Sequence, residues 1–252
     1  MTQTSYSATA TAAGTARTLG YSGPLIEAVH VADAVDFPVE GRTLVVNLDL
    51  SPVAVDREPR FSIPPLSSTI LTDTRVLAAR SLLLLRGALD PDTAPSELTA
   101  EPGWALLADL LPPGAFPRQT PLWRGPLDAA GEAAFVPETV LRQSPAGPER
   151  RYRVQTNLWF APAGTDCLIH HEHAFLEVHT QVAGRGRMQK FAAPDHAAIY
   201  EDVLMSPGYT TPEPFCQVGP DGAFTYPWHQ YHADTDCVWL AVEYHEPPVS
   251  EH

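Results

Sequence analysis

Lysine is nearly missing from this chain. Lys190 is the only one among sixteen basic residues, against thirty acidic ones, for a formal net charge of −14. A surface of that sign repels phosphate backbones, which nucleic-acid binders meet with clustered Lys and Arg, so no nucleic-acid partner is expected. Cysteine is scarce as well. Cys167, Cys216 and Cys237 form an odd set with no CxxC pair, which argues against a disulfide framework or a zinc ribbon and for reduced, buried thiols. Long apolar runs are absent: the longest, Cys237–Val242, has six residues, and a membrane-spanning helix needs roughly 20. No membrane partner is expected either. The opening stretch, residues 1–20, is rich in Thr, Ala and Ser without an apolar signal core, and reads as a disordered tail on a cytoplasmic protein. HExxH, G-x-S-x-G, Walker A and a complete G-x-G-x-x-G are all missing, which removes the zincin, hydrolase, P-loop and dinucleotide-binding readings.

What remains is a globular composition. The 252 residues are 44% hydrophobic, enough for one large domain or two modest ones. Twenty-six prolines interrupt long helices and favour short strands joined by turns. In the first half, Arg42–Leu50 reads as a strand. Asp73–Leu89 fits a helix capped by Asp73 or Thr74, or else a strand pair. Glu101–Leu111 reads as a short helix with Trp104, Leu106, Leu107, Leu110 and Leu111 on its apolar face. A mixed α/β extension over residues 21–148 follows. The second half alternates like a β-protein, with strand candidates at Arg151–Phe160, Cys167–Ala183, Arg187–Ala192, Phe224–Tyr231 and Cys237–His245. Many short strands at this spacing point to a small barrel or sandwich over residues 149–247.

Nine of the ten histidines lie from His170 onward, so chemistry is to be sought in the second half. The informative segment is HHEHAFLEVHTQVAGRG, from His170 to Gly186. In a strand, side chains two apart share a face, which would align His171, His173, Phe175, Glu177, His179 and Gln181. Imidazoles and a carboxylate on one inward face are costly unless something satisfies them, and a divalent cation does so. On this reading His171, His173 and Glu177 are metal ligands. The bland alternative is a solvated polar strand.

These residues resemble the first motif of the cupin superfamily: Gly164, then His171-Glu172-His173, Glu177 three residues further on, Gly184 after six more, and a second glycine at Gly186. The spacer after Gly164 is one residue longer than the family's. The stretch Gly222–Glu243 resembles the looser second motif, which supplies one more histidine. His232 matches the literal pattern better. His229 has the better geometry, because His232 falls at the last strand residue before the turn at Ala233–Asp236. His229 is preferred. The resemblance covers residues 150–247 and implies a mainly β, jelly-roll-like barrel, with the first half either an extension or a degenerate second cupin.

It also implies three His and one Glu around a single divalent metal with open positions. Fe(II) is favoured, and Mn(II), Ni(II) or Zn(II) would suit the same donors. The reaction expected is Fe(II)-dependent oxygenation of a small polar metabolite. The alternatives are an isomerase, epimerase or lyase that does not use oxygen, or a non-catalytic binding protein. His179, whose ordinary pKa lies near neutrality, is the candidate acid or base. Gln181, Tyr231 and His232 are candidate substrate contacts. Arg187, with Arg185 and Lys190, would meet a carboxylate or phosphate at the barrel mouth, unless this is only a solvated hairpin. A homodimer is expected from the resemblance alone.

Overall fold

A computed structural model describes residues 13–87, 95–211 and 214–247 of the chain. Its first half is a five-stranded antiparallel sheet with strand order β1-β2-β5-β3-β4: β1 Ala13–Thr18, β2 Glu27–Asn47, β3 Val53–Val55, β4 Phe61–Ile63 and β5 Ser68–Arg86. The part of the supposed disordered tail that is described, Ala13–Thr18, is therefore a strand, registered against β2 from Thr18↔Val29 to Ala13↔Val35. Residues 1–12 lie outside the described residues.

The helix expected over Asp73–Leu89 is instead strand as far as Arg86, with residues 88–94 outside the described residues. Two features of the sequence explain this. Asp73 sits at φ 45°, and its carboxylate accepts from the Gly41 amide at 2.8 Å. It thus secures the bend of a long hairpin and caps no helix. Leu82–Leu85 are all buried, because both faces of the sheet are covered: Leu83 and Leu85 enter one core and Leu82 and Leu84 another, while β2 doubles back and pairs Leu84 with both Val29 and Val45. Four successive leucines satisfy a strand covered on both faces as well as they satisfy a helix. Similarly, only Leu107–Leu110 of the second expected helix is helical (α1). Pro102 before it and Pro112 after it confine the turn.

The second half, with part of the first, forms two further sheets. One carries β6 Ala105–Leu106, β7 Trp123–Arg124, β9 Arg150–Ala161, β10 Leu176–Ala183 and β16 Cys237–His245 in the order β10-β16-β9-β7-β6, with β8 Asp128–Phe135 also on β9. The other is β12-β11-β15, from β11 Gly186–Phe191, β12 Ile199–Met205 and β15 Trp228–Ala233. A small two-stranded sheet pairs β13 Gln217–Val218 with β14 Phe224–Thr225. The chain is mainly β, and the six-stranded sheet and the three-stranded β12-β11-β15 sheet face each other as an unclosed, jelly-roll-like sandwich. Isolated bridges tie flanking segments to them: Thr210, after β12, pairs with Thr180 of β10, while Asp166 and His170, before β10, pair with His232 and His229 of β15.

Strand alternation sends β9, β10 and β16 into two cores. Val154, Leu158, Phe160, Val178, Val182, Val238, Leu240, Val242 and Tyr244 pack on Leu44, Val46, Leu83 and Leu85 of the first sheet. Each such side chain contributes roughly 1.5–3 kcal/mol by burial. The opposite face meets Met188, Tyr231 and Ala233 of the facing sheet, together with Leu107, Phe116 and Leu122. The first half of the chain therefore backs the sandwich, and the segment around α1 also fills its interior. All three cysteines are buried and unpaired.

Candidate metal centre

Three imidazoles converge where the irregular segment before β10 meets β15. The ligand nitrogens of His170, His173 and His229 all lie within 4.8 Å of one another. The Nε2 atoms of His173 and His229 are 3.2 Å apart. Two nitrogens bound to one cation at about 2.0–2.1 Å would stand roughly 3.0–3.4 Å apart, so this separation suits a shared ion.

The backbone prepares two of these rings. His170 Nδ1 lies 3.0 Å from the Leu168 carbonyl, and His229 Nδ1 lies 2.9 Å from the Pro227 carbonyl. A carbonyl only accepts, so both rings carry the proton on Nδ1 and present the Nε2 lone pair, as ligating histidines do. Burial keeps the cluster neutral. It pushes His173 down to about 3, with help from His170 and the other neighbouring imidazoles. Burial, then the nearby His170, takes His229 to about 3 as well. His170 is lowered by the same cause. Neutral imidazole is the metal-binding form.

Glu177 stands at the side of this trio, its Oε1 3.4 Å from His173 Nε2. Burial pushes its carboxyl up to about 8, and the charge of Glu243, directly opposite in the β10–β16 register, adds to the effect. A buried carboxylate without a cationic partner is expensive, and a divalent ion at the imidazoles would supply one. Tyr226 fixes the start of β10: its hydroxyl accepts from the Glu177 amide at 3.1 Å and donates to the Phe175 carbonyl at 3.0 Å. The Phe215 ring packs 4.8 Å from that of His229 and screens the site. The donors present thus fit a divalent cation.

The structure brings His173, Glu177 and His229 together, but His171 is not in the trio. Its ring packs on Trp228 at 3.9 Å, and His170 stands in its place. The reason is that β10 begins only at Leu176. Residues 171–175 are irregular, so strand alternation says nothing about which of the paired histidines turns inward. His170 is held instead by mutual main-chain hydrogen bonds with His229.

From Glu177 onward the alternation holds. His179 and Gln181 follow on the same face and are buried. His179 stacks on Tyr231 at 4.4 Å, and burial, with His229 and His170 nearby, pushes it down to about 3. Gln181 donates to the Ala183 carbonyl at 2.6 Å and lies deep beside Trp239, its cross-strand partner.

His232 and Arg187 occupy the other face of their sheet. His232 Nδ1 bonds Asp166 at 2.8 Å. Arg187 is held by Asp234 and Asp202, at 2.8 and 2.9 Å. Neither reaches the imidazoles, because β15 alternation that turns His229 and Tyr231 inward turns His232 out. Arg187 is its cross-strand neighbour on that outer face.

Two further residues were not read as part of the site from sequence. Glu243 faces Glu177, and Asn157 lies in one row with His179, through the pairs His179↔Ala241 and Ala241↔Asn157. The period-two pattern of β9 and β16 carried that signal, but only once the strands were placed in register.

No protein-family model and no curated protein sequence matches the chain. Among solved structures it is similar to the ectoine synthase from P. lautus, at 18% identity and a TM-score of 0.26 over 37% of this chain and 55% of that one. It is similar to an RmlC-like cupin protein from Desulfovibrio desulfuricans, at 16% and 0.26 over 36% and 71%. It is also similar to a mutant oxalate decarboxylase from Bacillus subtilis, at 13% and 0.28 over 93% and 74%. The chain spans about half the length of the ectoine synthase. At such similarity, what the site does rests on its own residues.

Proposed function

We propose that the chain is a mononuclear metal-dependent enzyme of the cupin type acting on a small polar metabolite. His170, His173 and His229 would hold one divalent cation, with Glu177 beside them. The observation that carries this is the convergence of three neutral imidazoles, two of them locked by backbone carbonyls into the tautomer that offers Nε2. When bound, the metal would act as a Lewis acid that polarises and orients the substrate.

The remaining work falls to the chain itself. Phe215 and Tyr226 exclude water from one side of the cluster. His179, neutral and with an unpartnered Nδ1, can form a hydrogen bond with a substrate placed between it and the trio. The Tyr231 hydroxyl, also unpartnered, can donate one.

Fe(II)-dependent oxygenation is the reaction we favour, with Mn(II), Ni(II) and Zn(II) compatible with the same donors. The second reading is isomerisation or elimination without oxygen, with the metal as Lewis acid. Elemental analysis of protein purified without chelator tests the centre: about one metal per chain is expected, lost in His173→Ala and His229→Ala. Metal retained in both variants would refute it. Oxygen-electrode assays of the Fe(II)-reconstituted protein with small hydroxy and keto acids separate the reactions. Product formed at an undiminished rate under nitrogen selects the second reading.

A further inference from the structure

The interior face of the β10–β16–β9 sheet is sorted by row. The row nearest the imidazoles carries the carboxylates of Glu177 and Glu243. Two residues further in come His179, Ala241 and Asn157, and beyond them Gln181, Trp239 and Trp159. The middle row contains no charge.

Ala241 separates His179 from Asn157, whose strands stand about 10 Å apart, and only a methyl group occupies the middle position. From the facing sheet the Tyr231 ring packs at a tilt against His179, 4.4 Å between centroids. Thr211 joins the group through its amide, which donates to the His179 carbonyl at 3.3 Å.

These side chains share an unusual state. Asn157 and Thr211 are 0% and 1% exposed, His179 and Tyr231 no more than 9%. Yet Asn157 Oδ1 and Nδ2, His179 Nδ1, the Tyr231 hydroxyl and Thr211 Oγ1 have no hydrogen-bond partner among the described residues. Buried polar atoms are seldom left unpaired, and a side-chain amide with both ends unmet is costly. Thr211 and Met188, the latter cross-strand from Tyr231, also line a cavity of about 270 Å³. The charged residues on its wall, Lys190 and Glu201, neutralise each other at 2.7 Å.

A ligand group meeting this row finds donors and acceptors and no counter-charge. A charged group would be stranded there, whereas hydroxyl groups, which both donate and accept, match it. We propose that the row binds the uncharged, hydroxylated tail of the metabolite and that Asn157 is the residue that selects for it. This rests on the metal reading above for where the head of the substrate lies. The substrate class is then a small polyhydroxylated acid or sugar-like compound, its chelating end at the imidazoles and its hydroxyls in the middle row.

Two probes with the same head separate the contributions. Erythronate and 2-hydroxybutanoate are both four-carbon α-hydroxy acids, but only erythronate carries hydroxyls along its tail. Calorimetric titration would be run on Mn(II)-loaded and on metal-free protein, with metal content measured first. Wild type should bind erythronate at least about tenfold more tightly, since a site built for a hydroxyl rejects the analogue lacking one. Asn157→Leu should bring the two within about twofold, with metal content unchanged and the melting temperature equal or higher, because an unmet amide has been removed. Thr211→Val, read the same way, serves if Asn157→Leu does not fold.

The proposal is overturned if wild type does not discriminate, if neither probe binds, or if the variants keep the discrimination. Lower stability with discrimination intact would mean that the row holds structural water only. Discrimination in protein that retains no metal would support the row and sink the cation centre alone.

Discussion

His170 and His229 hold each other through the main chain: each amide donates to the other's carbonyl, at 2.9 and 2.8 Å, and their rings lie 4.4 Å apart. This bridge makes the first histidine of the His170-His171 pair, and not the second, part of the trio. His170→Ala should therefore lower metal affinity by more than about tenfold, the loss that even an indirect partner of a ligand can cause. His171→Ala should leave affinity within about twofold and cost only its packing on Trp228. Metal titration monitored by a chromophoric chelator checks both. The reverse ranking would move the centre back to the strand-alternation set.

The outward placement of Arg187 and His232 carries its own expectation. The ion pairs of Arg187 with Asp202 and Asp234 and the hydrogen bond of His232 with Asp166 lie on a partly exposed face, where such contacts contribute about 1 kcal/mol or less. Arg187→Ala and His232→Ala should each cost about that much in denaturant unfolding and leave metal content unchanged. A loss of metal in either variant would contradict the face assignment.

The glycines of the histidine-rich motif are not equivalent. Gly184 sits at φ 73°, and a Cβ there would fall 1.9 Å from the Asp236 carbonyl oxygen; Gly164 sits at φ 80° with open space around it. Gly164→Ala should cost about 1–2 kcal/mol from the left-handed backbone alone. Gly184→Ala should cost at least about 1–3 kcal/mol more, because the β10–β11 turn must shift away from rigid main chain. Equal losses in chemical denaturation would show that the turn can move freely.

A pH effect is expected far from the metal centre. His30 is buried against Ser81, 2.9 Å from its hydroxyl, and burial, with Arg17 nearby, lowers its pKa. The unfolded chain takes up a proton at about 6.5 that the folded chain resists. The stability His30 permits is thus complete above that pH and falls as the solution is acidified. His30→Gln should lose less stability than wild type between pH 7 and pH 5, measured by urea midpoints at the two values. An identical loss would remove His30 as a source of the acid sensitivity.

Much of the second half could be read from sequence because its strands are bounded by turn residues and alternate in polarity. Arg150–Ala161 and Cys237–His245 lie within a residue of the expected limits, and the same alternation places His229 and His232 on opposite faces of β15. The strand Ile199–Met205 has a weak sequence signal because Ile199, Tyr200 and Leu204 are exposed at a sheet edge and only Met205 is fully buried. The structure turns His170 and not His171 toward His173 and His229, because strand periodicity does not extend through residues 171–175, where no strand exists. In the first half, leucines between two strands leave no periodic signature at all. Asp73 resembled a helix cap because a short carboxylate can close a hairpin bend with the same kind of hydrogen bond. Asn157 was invisible for another reason: its importance comes from a neighbour two strands away, and local sequence does not record that distance.

Tyr244 reaches from the sandwich to the Leu48 carbonyl of the first sheet, at 3.0 Å, amid the valines and leucines of β10 and β16. A proteolytic fragment that kept His170, His173 and His229 but began near residue 149 would turn that greasy wall toward water. It would be expected to clump before it could capture an ion. The imidazole cluster and the surface that shields its sandwich are thus divided between halves of the polypeptide, and the half without the cluster is expected to keep the other in solution.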